Sequence, residues 1–253
     1  MINQKGGVGK TTTAINLGAS LAAQGQKVLV IDMDPQANAT SSIGLDKNEI
    51  KKGTYEVLIG SAPISPQIIR NKEFQLSILP SSPALSGAEI ELIDFEHRES
   101  LLKNAIDHIA SLYDYILIDC PPSLSILTIN ALVAAKDGVI IPVQCEYLAL
   151  EGLGQLTSTI NQVKKSFPSV NVRGVVLTMF DGRTRLAIDV VNEVRKFFPD
   201  KVFQSIIPRS IRLAEAPSYG QPINFYSKDS NACKAYNALA KEILVQDGIQ
   251  VLN

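Results

Sequence analysis

The sequence predicts an α/β fold: one doubly wound, mostly parallel sheet with helices on both faces. Short apolar runs rich in Val and Ile recur along the chain, as in strands that are buried on both faces of a sheet. Amphipathic stretches separate these runs, so strand and helix alternate throughout. The chain has 253 residues, and no linker or internal repeat interrupts the alternation. We therefore expect a single domain over residues 1–253.

Six apolar runs are predicted to be strands, because each is short and bounded by polar or turn-forming residues. In chain order they cover residues 27–32, 75–80, 115–119, 138–143, 172–179 and 202–207. In sheets of this kind, ligands bind beyond the carboxyl ends of the strands. The residues that directly follow each run are therefore candidate binding residues.

The helices are predicted from apolar residues at helical spacing. Residues 10–24 carry Ala14, Leu17 and Leu21 on one face and end at Gly25, a C-terminal cap. The same spacing predicts helices over residues 98–112, 123–135, 150–167, 186–198 and 232–245. Residues 41–73 contain several Gly and Pro and predict short helices and loops.

Composition excludes several classes of protein. The longest apolar runs are far shorter than the roughly 18 residues of a membrane-spanning helix. A glycine cluster stands where a signal peptide would carry its apolar region, so we expect a cytoplasmic protein. Three widely spaced cysteines, Cys120, Cys145 and Cys233, predict neither a disulfide framework nor a zinc ribbon. They are expected to be small core residues.

The net charge of −1 conceals an uneven distribution. Residues 1–163 hold 11 basic and 17 acidic side chains, whereas residues 164–253 hold 13 basic and 8 acidic ones. Such a division is a weak indication of an anionic partner for the second part. Chance placement of charges on solvated helix faces explains it equally well.

The most specific motif is Asn-Gln-Lys-Gly-Gly-Val-Gly-Lys-Thr-Thr at residues 3–12, directly before the first predicted helix. Its glycines allow successive backbone N–H groups to face a polyphosphate, and the helix adds the positive end of its dipole. Lys10 would reach the β- and γ-phosphates, and the Thr11 hydroxyl would ligate magnesium. The usual GxxxxGK[ST] pattern would have glycine at Gln4, and here a second lysine, Lys5, precedes the two glycines.

This KGGxGK[ST] form resembles the deviant Walker A loop of the ParA/MinD superfamily of P-loop ATPases. Residues 28–36 resemble the first switch of that superfamily, and residues 115–122 resemble its Walker B strand and second switch. Residues 174–179, 207–209 and 215–218 are similar to the later strands of the chromosome and plasmid partition branch, ParA/Soj. The similarity spans essentially the whole chain, and it implies a P-loop NTPase fold of the deviant Walker A type.

The resemblance also implies the site residues for ATP and Mg²⁺. The residues expected to bind ATP are those of the loop and one later proline: Lys5, Gly6, Gly7, Val8, Gly9, Lys10, Thr11, Thr12 and Pro208. The expected magnesium residues are Thr11, Asp34 and Asp119, and the expected catalytic residues are Lys5, Lys10 and Asp34. Adenine contacts are expected from residues 178–181 and 208–209.

Three of these residues have distinct roles in the family. Lys5 matches the signature lysine, which reaches across a dimer to the phosphates of the partner subunit. Asp34 matches the switch aspartate that positions the attacking water. Asp119 ends an apolar strand and fits a carboxylate that holds magnesium through water, because a charge so placed would be costly without a cation.

The function implied is a slow, partner-stimulated ATP hydrolase that acts as a switch in DNA segregation. Its homodimer would form in the ATP state and bind DNA of any sequence through phosphate contacts, which associates it with the nucleoid. Arg183 and Arg212 match positions that carry this binding in the Soj group. A centromere-binding protein of the ParB type would stimulate hydrolysis and release the DNA.

Other functions receive less support from the sequence. A MinD-like ATPase for division-site positioning would bind membrane through a basic amphipathic C-terminal helix, but residues 243–253 contain no Lys or Arg and include Gly248. No membrane partner is therefore expected. An ATP-dependent carboxylate ligase or amidase and an iron–sulfur reductase are further alternatives on the same scaffold. His97 and His108 are expected at the surface rather than as a metal pair.

The chain departs from the family at its start. Family members carry a strand of several apolar residues before the Asn-Gln-Lys-Gly-Gly segment, at the centre of the sheet, whereas only Met1 and Ile2 precede Asn3 here. Either residues are missing from the start, or the sheet lacks most of its first strand. In the second case we expect unpaired backbone groups, each with a penalty of roughly 1–3 kcal/mol if buried.

Overall fold

The computed structural model describes residues 1–147 and 149–251, with no description of the side chains of residues 149–151. Its strands are β1 (Val28–Asp32), β2 (Ile69–Asn71), β3 (Leu76–Leu79), β4 (Tyr115–Asp119), β5 (Val139–Gln144), β6 (Val172–Phe180) and β7 (Val202–Pro208). Its helices are α1 (Lys10–Ala23), α2 (Asn38–Ser42), α3 (Thr54–Leu58), α4 (Leu85–Glu91), α5 (Leu101–Asp107), α6 (Ile126–Ala134), α7 (Ala149–Ser166), α8 (Arg185–Phe197), α9 (Ile211–Glu215), α10 (Ile223–Tyr226) and α11 (Asn231–Gln246).

The strands form a mostly parallel α/β structure, as predicted. One sheet has the order β2-β3-β1-β4, in which only β2 is antiparallel to its neighbour. The other has the order β5-β6-β7 and is parallel throughout. The six predicted strands are confirmed within one residue at each end. β2 is a three-residue edge strand that hydrophobic periodicity did not predict.

The predicted sheet is divided into these two parts, because β4 and β5 are not paired with each other. Between β4 and β5, the backbone N–H of Ile2 donates to the carbonyl of Ile140 over 3.1 Å, and the amino group of Met1 donates to the carbonyl of Ile118. Two residues are too few to pair with both strands along their length. Cavities of about 210 Å³ and about 270 Å³ lie in this gap, the first beside α5 and α6 and the second beside α1 and α11.

The core extends across both sheets despite this gap. All five residues of β1 are buried, as their continuous apolar pattern predicts. One buried cluster joins Val30 of the first sheet, Val176 of the second, Leu17 of α1 and Leu244 of α11. The three cysteines are free and buried, which confirms their expected place in the core.

The predicted helices appear with shorter bounds at two places. Residues 98–112 form α5 with short 3₁₀ turns on either side, and α6 begins at Ile126 rather than at residue 123. Residues 41–73 form short helices and loops, as predicted, apart from β2. The last two residues of the predicted C-terminal segment, Leu252 and Asn253, lie outside the described residues. Among the described helices, none combines the length and the apolar character needed to cross a membrane.

Candidate nucleotide site

The glycine-rich loop is attached to the carboxyl ends of two strands of the second sheet. The Asn3 side-chain amide donates to the Pro142 carbonyl of β5 over 2.8 Å, and its oxygen accepts the Lys5 N–H over 3.0 Å. From β6, the Thr178 hydroxyl donates to the Val8 carbonyl over 2.9 Å. These bonds hold the loop against the sheet before α1 begins.

The glycines of the loop give it the conformation of a cradle. Gly7 and Gly9 have positive φ angles of 75° and 91°, in a region of backbone conformation that residues other than glycine rarely adopt. A Cβ atom at Gly6 or Gly7 would meet nothing within 4 Å, so the space beside the loop is open. Val8, which lies between Gly7 and Gly9, is buried and anchors the loop to the core. An anion can therefore approach the loop backbone closely.

Lys10 opens α1 with a buried side chain that lies among carboxylates. Its ammonium donates to the Lys5 carbonyl over 3.1 Å. Burial lowers the pKa of Lys10, and the negative charges of Asp119 and Asp34 oppose that shift. An ammonium can donate three hydrogen bonds, and within the described part of the chain this one has a single carbonyl acceptor. Phosphate oxygens in the cradle would accept further hydrogen bonds from it.

Asp119 ends β4 and is fully buried. Neither of its carboxylate oxygens has a hydrogen-bond partner among the described residues. Burial raises the pKa of Asp119 to about 6, against the opposing effect of Lys10 and the amino terminus. The Thr11 hydroxyl faces this carboxylate and lowers its pKa, but the geometry does not complete a hydrogen bond.

This donor set fits a divalent cation. Magnesium prefers carboxylate and hydroxyl oxygens and is usually held by one or two protein ligands together with phosphates and waters. Within the described residues no group of three or more His, Cys, Asp and Glu is placed to hold a metal alone. Unpartnered Asp119 oxygens beside Thr11 suit a cation that arrives with a nucleotide. His97 and His108 are both exposed, as predicted.

Asp34 lies in the turn after β1 and is also buried. One of its carboxylate oxygens accepts the Gln36 N–H over 2.9 Å, and its own N–H donates to the Asp32 carboxylate over 3.1 Å. Asp32 is fully buried and faces Asp119 in the pairing of β1 with β4. Burial, and then repulsion from Asp119, raises the pKa of Asp32 to about 7, against hydrogen bonds from Thr40. In the sequence, Asp32 is the last residue of a predicted strand within the segment that resembles the first switch, and nothing there indicates its hydrogen bonds.

Lys5 lies at the rim of the site with about a third of its side chain exposed. Its ammonium is 3.9 Å from Glu146, which also accepts a hydrogen bond of 3.2 Å from Arg209. Sequence reasoning did not assign Glu146, since a single Glu after a strand carries no distinctive pattern. In this arrangement Lys5 is placed beside the cradle rather than inside it.

A cavity of about 300 Å³ adjoins the cradle at Gly9 and Thr12. Its lining brings together the two predicted adenine loops, with Thr178 and Met179 from β6 and Pro208 from the end of β7. Asp181 of the first loop is instead paired with Arg183. An apolar cavity of this kind next to a phosphate cradle is suited to a purine ring.

Arg183 and Arg212 follow the ends of the neighbouring strands β6 and β7, so both emerge at the same edge of the second sheet. Arg183 is 89% exposed, and its side chain makes two hydrogen bonds to Asp181 and its backbone N–H a third, which lower the pKa of that carboxyl to about 2. Arg212 pairs with Glu215 over 3.0 Å. Water screens exposed pairs of this type, so they do not prevent the arginines from binding another anion.

A glycine cradle before the first helix, a buried lysine and an unpartnered carboxylate on a parallel sheet define a P-loop ATPase domain. Residues 1–172 match the AAA domain family. The chain is 50% identical to the chromosome partitioning protein ParA of Myxococcus xanthus strain DK1622, over 97% of this chain and 87% of that protein. It is also 50% identical to the sporulation initiation inhibitor protein Soj of Bacillus subtilis strain 168, over 95% of both chains.

These relatives show that the chain belongs to the ParA/Soj family of chromosome-partitioning ATPases. Among solved structures, cobyrinic acid a,c-diamide synthase from Mycobacterium smegmatis, bound to an ATP analogue and magnesium, superposes with a TM-score of 0.85. It is 35% identical, over 100% of this chain and 97% of that one. The predicted family, fold class and ATPase activity are thereby confirmed, and the neighbour carries the predicted cofactors.

Proposed function

We propose that the chain is an ATP-dependent switch for DNA segregation: it dimerises with ATP, binds DNA without sequence preference, and releases it on hydrolysis. The observation that carries this proposal is the glycine cradle with its buried Lys10 and with Asp119, whose oxygens have no hydrogen-bond partner among the described residues. Lys10 can donate further hydrogen bonds and the Asp119 carboxylate can hold a cation. A triphosphate with bound magnesium would satisfy both groups. We further propose that the whole chain, 1–253, acts as one domain, because one buried cluster joins both sheets.

The roles of the site residues follow from their positions. The loop N–H groups and Lys10 would stabilise charge on the β- and γ-phosphates, and the purine would occupy the cavity at Pro208. Thr11 and Asp119 would hold magnesium, which would supply positive charge to offset the charge of the phosphates. Asp34, whose charge helps to raise the pKa of Asp119, would also help to hold the metal and would orient the attacking water, since its backbone is fixed and its carboxylate is buried.

Dimerisation would depend on Lys5. The Lys5 ammonium is 3.9 Å from Glu146, and both side chains are partly exposed. Separating Lys5 from Glu146 therefore requires little free energy. Across a dimer, Lys5 would reach phosphates of the partner subunit. ATP offers one more phosphate than ADP, so the dimer should form with ATP and not with ADP.

DNA binding is proposed to use the edge of the sheet where Arg183 and Arg212 emerge. Their guanidinium groups are exposed, and the excess of basic residues after residue 163 is consistent with an anionic partner. Phosphate contacts are additive, so a dimer with two such edges binds much more tightly than a monomer. A ParB-type protein would then stimulate hydrolysis and return the chain from the nucleoid to the cytoplasm.

Two alternative functions receive less support. A MinD-like membrane ATPase would need a free apolar face at its C-terminal helix, but Leu239, Ile243 and Leu244 of α11 are buried in the core. A ligase or amidase is suggested by the 35% identity to the diamide synthase. A relative named for chromosome partitioning shares 50%, which favours the partition function.

The proposal is tested by light scattering of the protein with magnesium and either ATP or ADP. We expect a doubling of mass with ATP only, and a monomer for Lys5→Ala under both conditions. Lys27→Ala, which removes a lysine far from the loop, is the matched control and should dimerise normally. A Lys5→Ala protein that still dimerises with ATP would remove Lys5 from its role.

A further inference from the structure

We propose that Thr40 and Ser81 are positioning residues for ATP hydrolysis, which hold the backbone of Asp34 through a closed network of buried hydrogen bonds. The inference rests on the proposed role of Asp34 in orienting water. Neither Thr40 nor Ser81 belongs to the glycine-rich loop or to the aspartates assigned from the sequence. Thr40 lies in α2 and Ser81 follows β3, so the network joins two separate segments to the turn after β1.

The first half of the network is centred on the Asp32 carboxylate. One of its oxygens accepts both the N–H and the hydroxyl of Thr40, over 2.8 Å and 2.7 Å. The other oxygen accepts the N–H of Asp34 over 3.1 Å. A single buried carboxylate therefore connects the start of the Asp34 turn to α2.

The second half runs through Ser81. Its N–H donates to the Thr40 hydroxyl oxygen over 2.9 Å, and its own hydroxyl donates to the Asp34 carbonyl over 2.8 Å. The Thr40 hydroxyl thus donates its one proton to Asp32 and accepts the N–H of Ser81 with its oxygen, so the two hydrogen bonds do not compete. The network closes on Asp34, whose N–H and C=O are both held.

Burial makes this network more rigid than an exposed one would be. Asp32, Thr40 and Ser81 are 0% exposed and Asp34 is 7% exposed, so water cannot replace the bonds that a substitution removes. Fixing both backbone groups of Asp34 restricts where its side chain points. A catalytic group needs such support, since a misplacement of about 1 Å can reduce the rate roughly a hundredfold.

The composition of the network is difficult to explain by stability alone. Asp32 lies opposite Asp119, another buried carboxylate, and the two repel each other. The other four residues of β1 are apolar and fully packed, so an apolar residue at position 32 would continue the strand without that repulsion. What an apolar residue would lose is the acceptor for Asp34 and Thr40.

The test compares Thr40→Val, which removes the hydroxyl but keeps the shape, with Thr40→Ser, which keeps the hydroxyl. Thr157→Val removes a hydroxyl that bonds only a helix carbonyl and is the matched control. For Thr40→Val we expect turnover to fall roughly ten- to a hundredfold, with affinity for a fluorescent ADP analogue and ATP-dependent dimerisation within about twofold of wild type. Thr40→Ser should restore turnover, and Thr157→Val should not reduce it.

Ser81→Ala gives an independent measurement if Thr40→Val does not fold, because it removes only the Ser81 bond to the Asp34 carbonyl and leaves the bond of 2.8 Å from the Ala37 N–H in place. It should lower turnover about tenfold without changing nucleotide affinity. If Ser81→Ala, and Thr40→Val where it folds, keep wild-type turnover while Asp34→Ala loses it, the network inference is wrong and the role of Asp34 stands. If Asp34→Ala itself keeps turnover, the proposed function of Asp34 fails instead. Equal losses of affinity and turnover in Thr40→Val would show a merely structural role.

Discussion

The buried carboxylate of Asp119 should make the protein without nucleotide less stable as the pH rises. Burial raises the pKa of Asp119 from 3.8 in the unfolded chain to about 6 in the folded one. Between these values the unfolded chain has lost a proton that the folded chain still holds, so the free energy of unfolding falls with pH. The loss is about 1.4 kcal/mol per pH unit and stops once the folded carboxyl ionises. Above about pH 6 it amounts to roughly 3 kcal/mol.

The substitution Asp119→Asn removes this pH dependence while keeping the shape of the protonated acid. The variant and the wild type should therefore have similar stability near about pH 4 and diverge above it, with the variant more stable by roughly 3 kcal/mol at neutral pH. For a chain of this size, 1 kcal/mol corresponds to roughly 2–4 °C in Tm. We thus expect the Tm of the variant to be about 6–12 °C higher.

The assay is thermal unfolding with a chelator at several pH values between about pH 4 and pH 7.5. Asp200→Asn is the control, because Asp200 is exposed and its positive φ angle suits Asn equally. Adding ATP and magnesium at neutral pH should stabilise the wild type much more than the variant, which lacks the carboxylate that holds the cation. A difference between variant and wild type that stays constant across this pH range would refute the reasoning.

Two further predictions concern the switch and the interrupted sheet. Asp34→Ala should keep ATP binding and the dimer but lower steady-state phosphate release at least tenfold, since it removes the group that orients water; unchanged turnover would contradict its role. Extending the chain before Met1 by four apolar β-branched residues should raise the Tm by several degrees, because the added strand pairs with β4 and β5 and fills both cavities. A polar extension of equal length is the control, and an equal rise for both would contradict the explanation.

The strands and the cradle could be predicted from the sequence because their signals are local. β4 is a continuous apolar run that ends at Asp119, and Gly7 and Gly9 supply positive φ angles that the loop requires. The gap between β4 and β5 lies at a place that the sequence already marked, because only Met1 and Ile2 of the family's first strand precede Asn3 in this sequence. β2 was missed because its three residues are stabilised by pairing with β3 rather than by their own pattern.

The supporting residues of the site could not be predicted in the same way. Thr40 and Ser81 are separated by about forty positions and meet only because α2 and the end of β3 both pack beside β1. Glu146 contacts Lys5 and Arg209 from distant parts of the chain. Contacts of this kind depend on the register of the sheet, which composition and periodicity leave undetermined.

The salt dependence of DNA binding tests the central claim most directly. We predict that the ATP-bound protein binds duplex DNA of any sequence, that the ADP-bound protein binds poorly, and that Arg183→Ala and Arg212→Ala each lower the slope of log affinity against log salt by about two. Each lost phosphate contact contributes about 0.9, and a dimer loses two. Arg70→Ala removes an exposed arginine from β2 in the other sheet and should leave the slope unchanged. Binding to anionic vesicles but not to DNA, or wild-type slopes in both arginine variants, would contradict the claim.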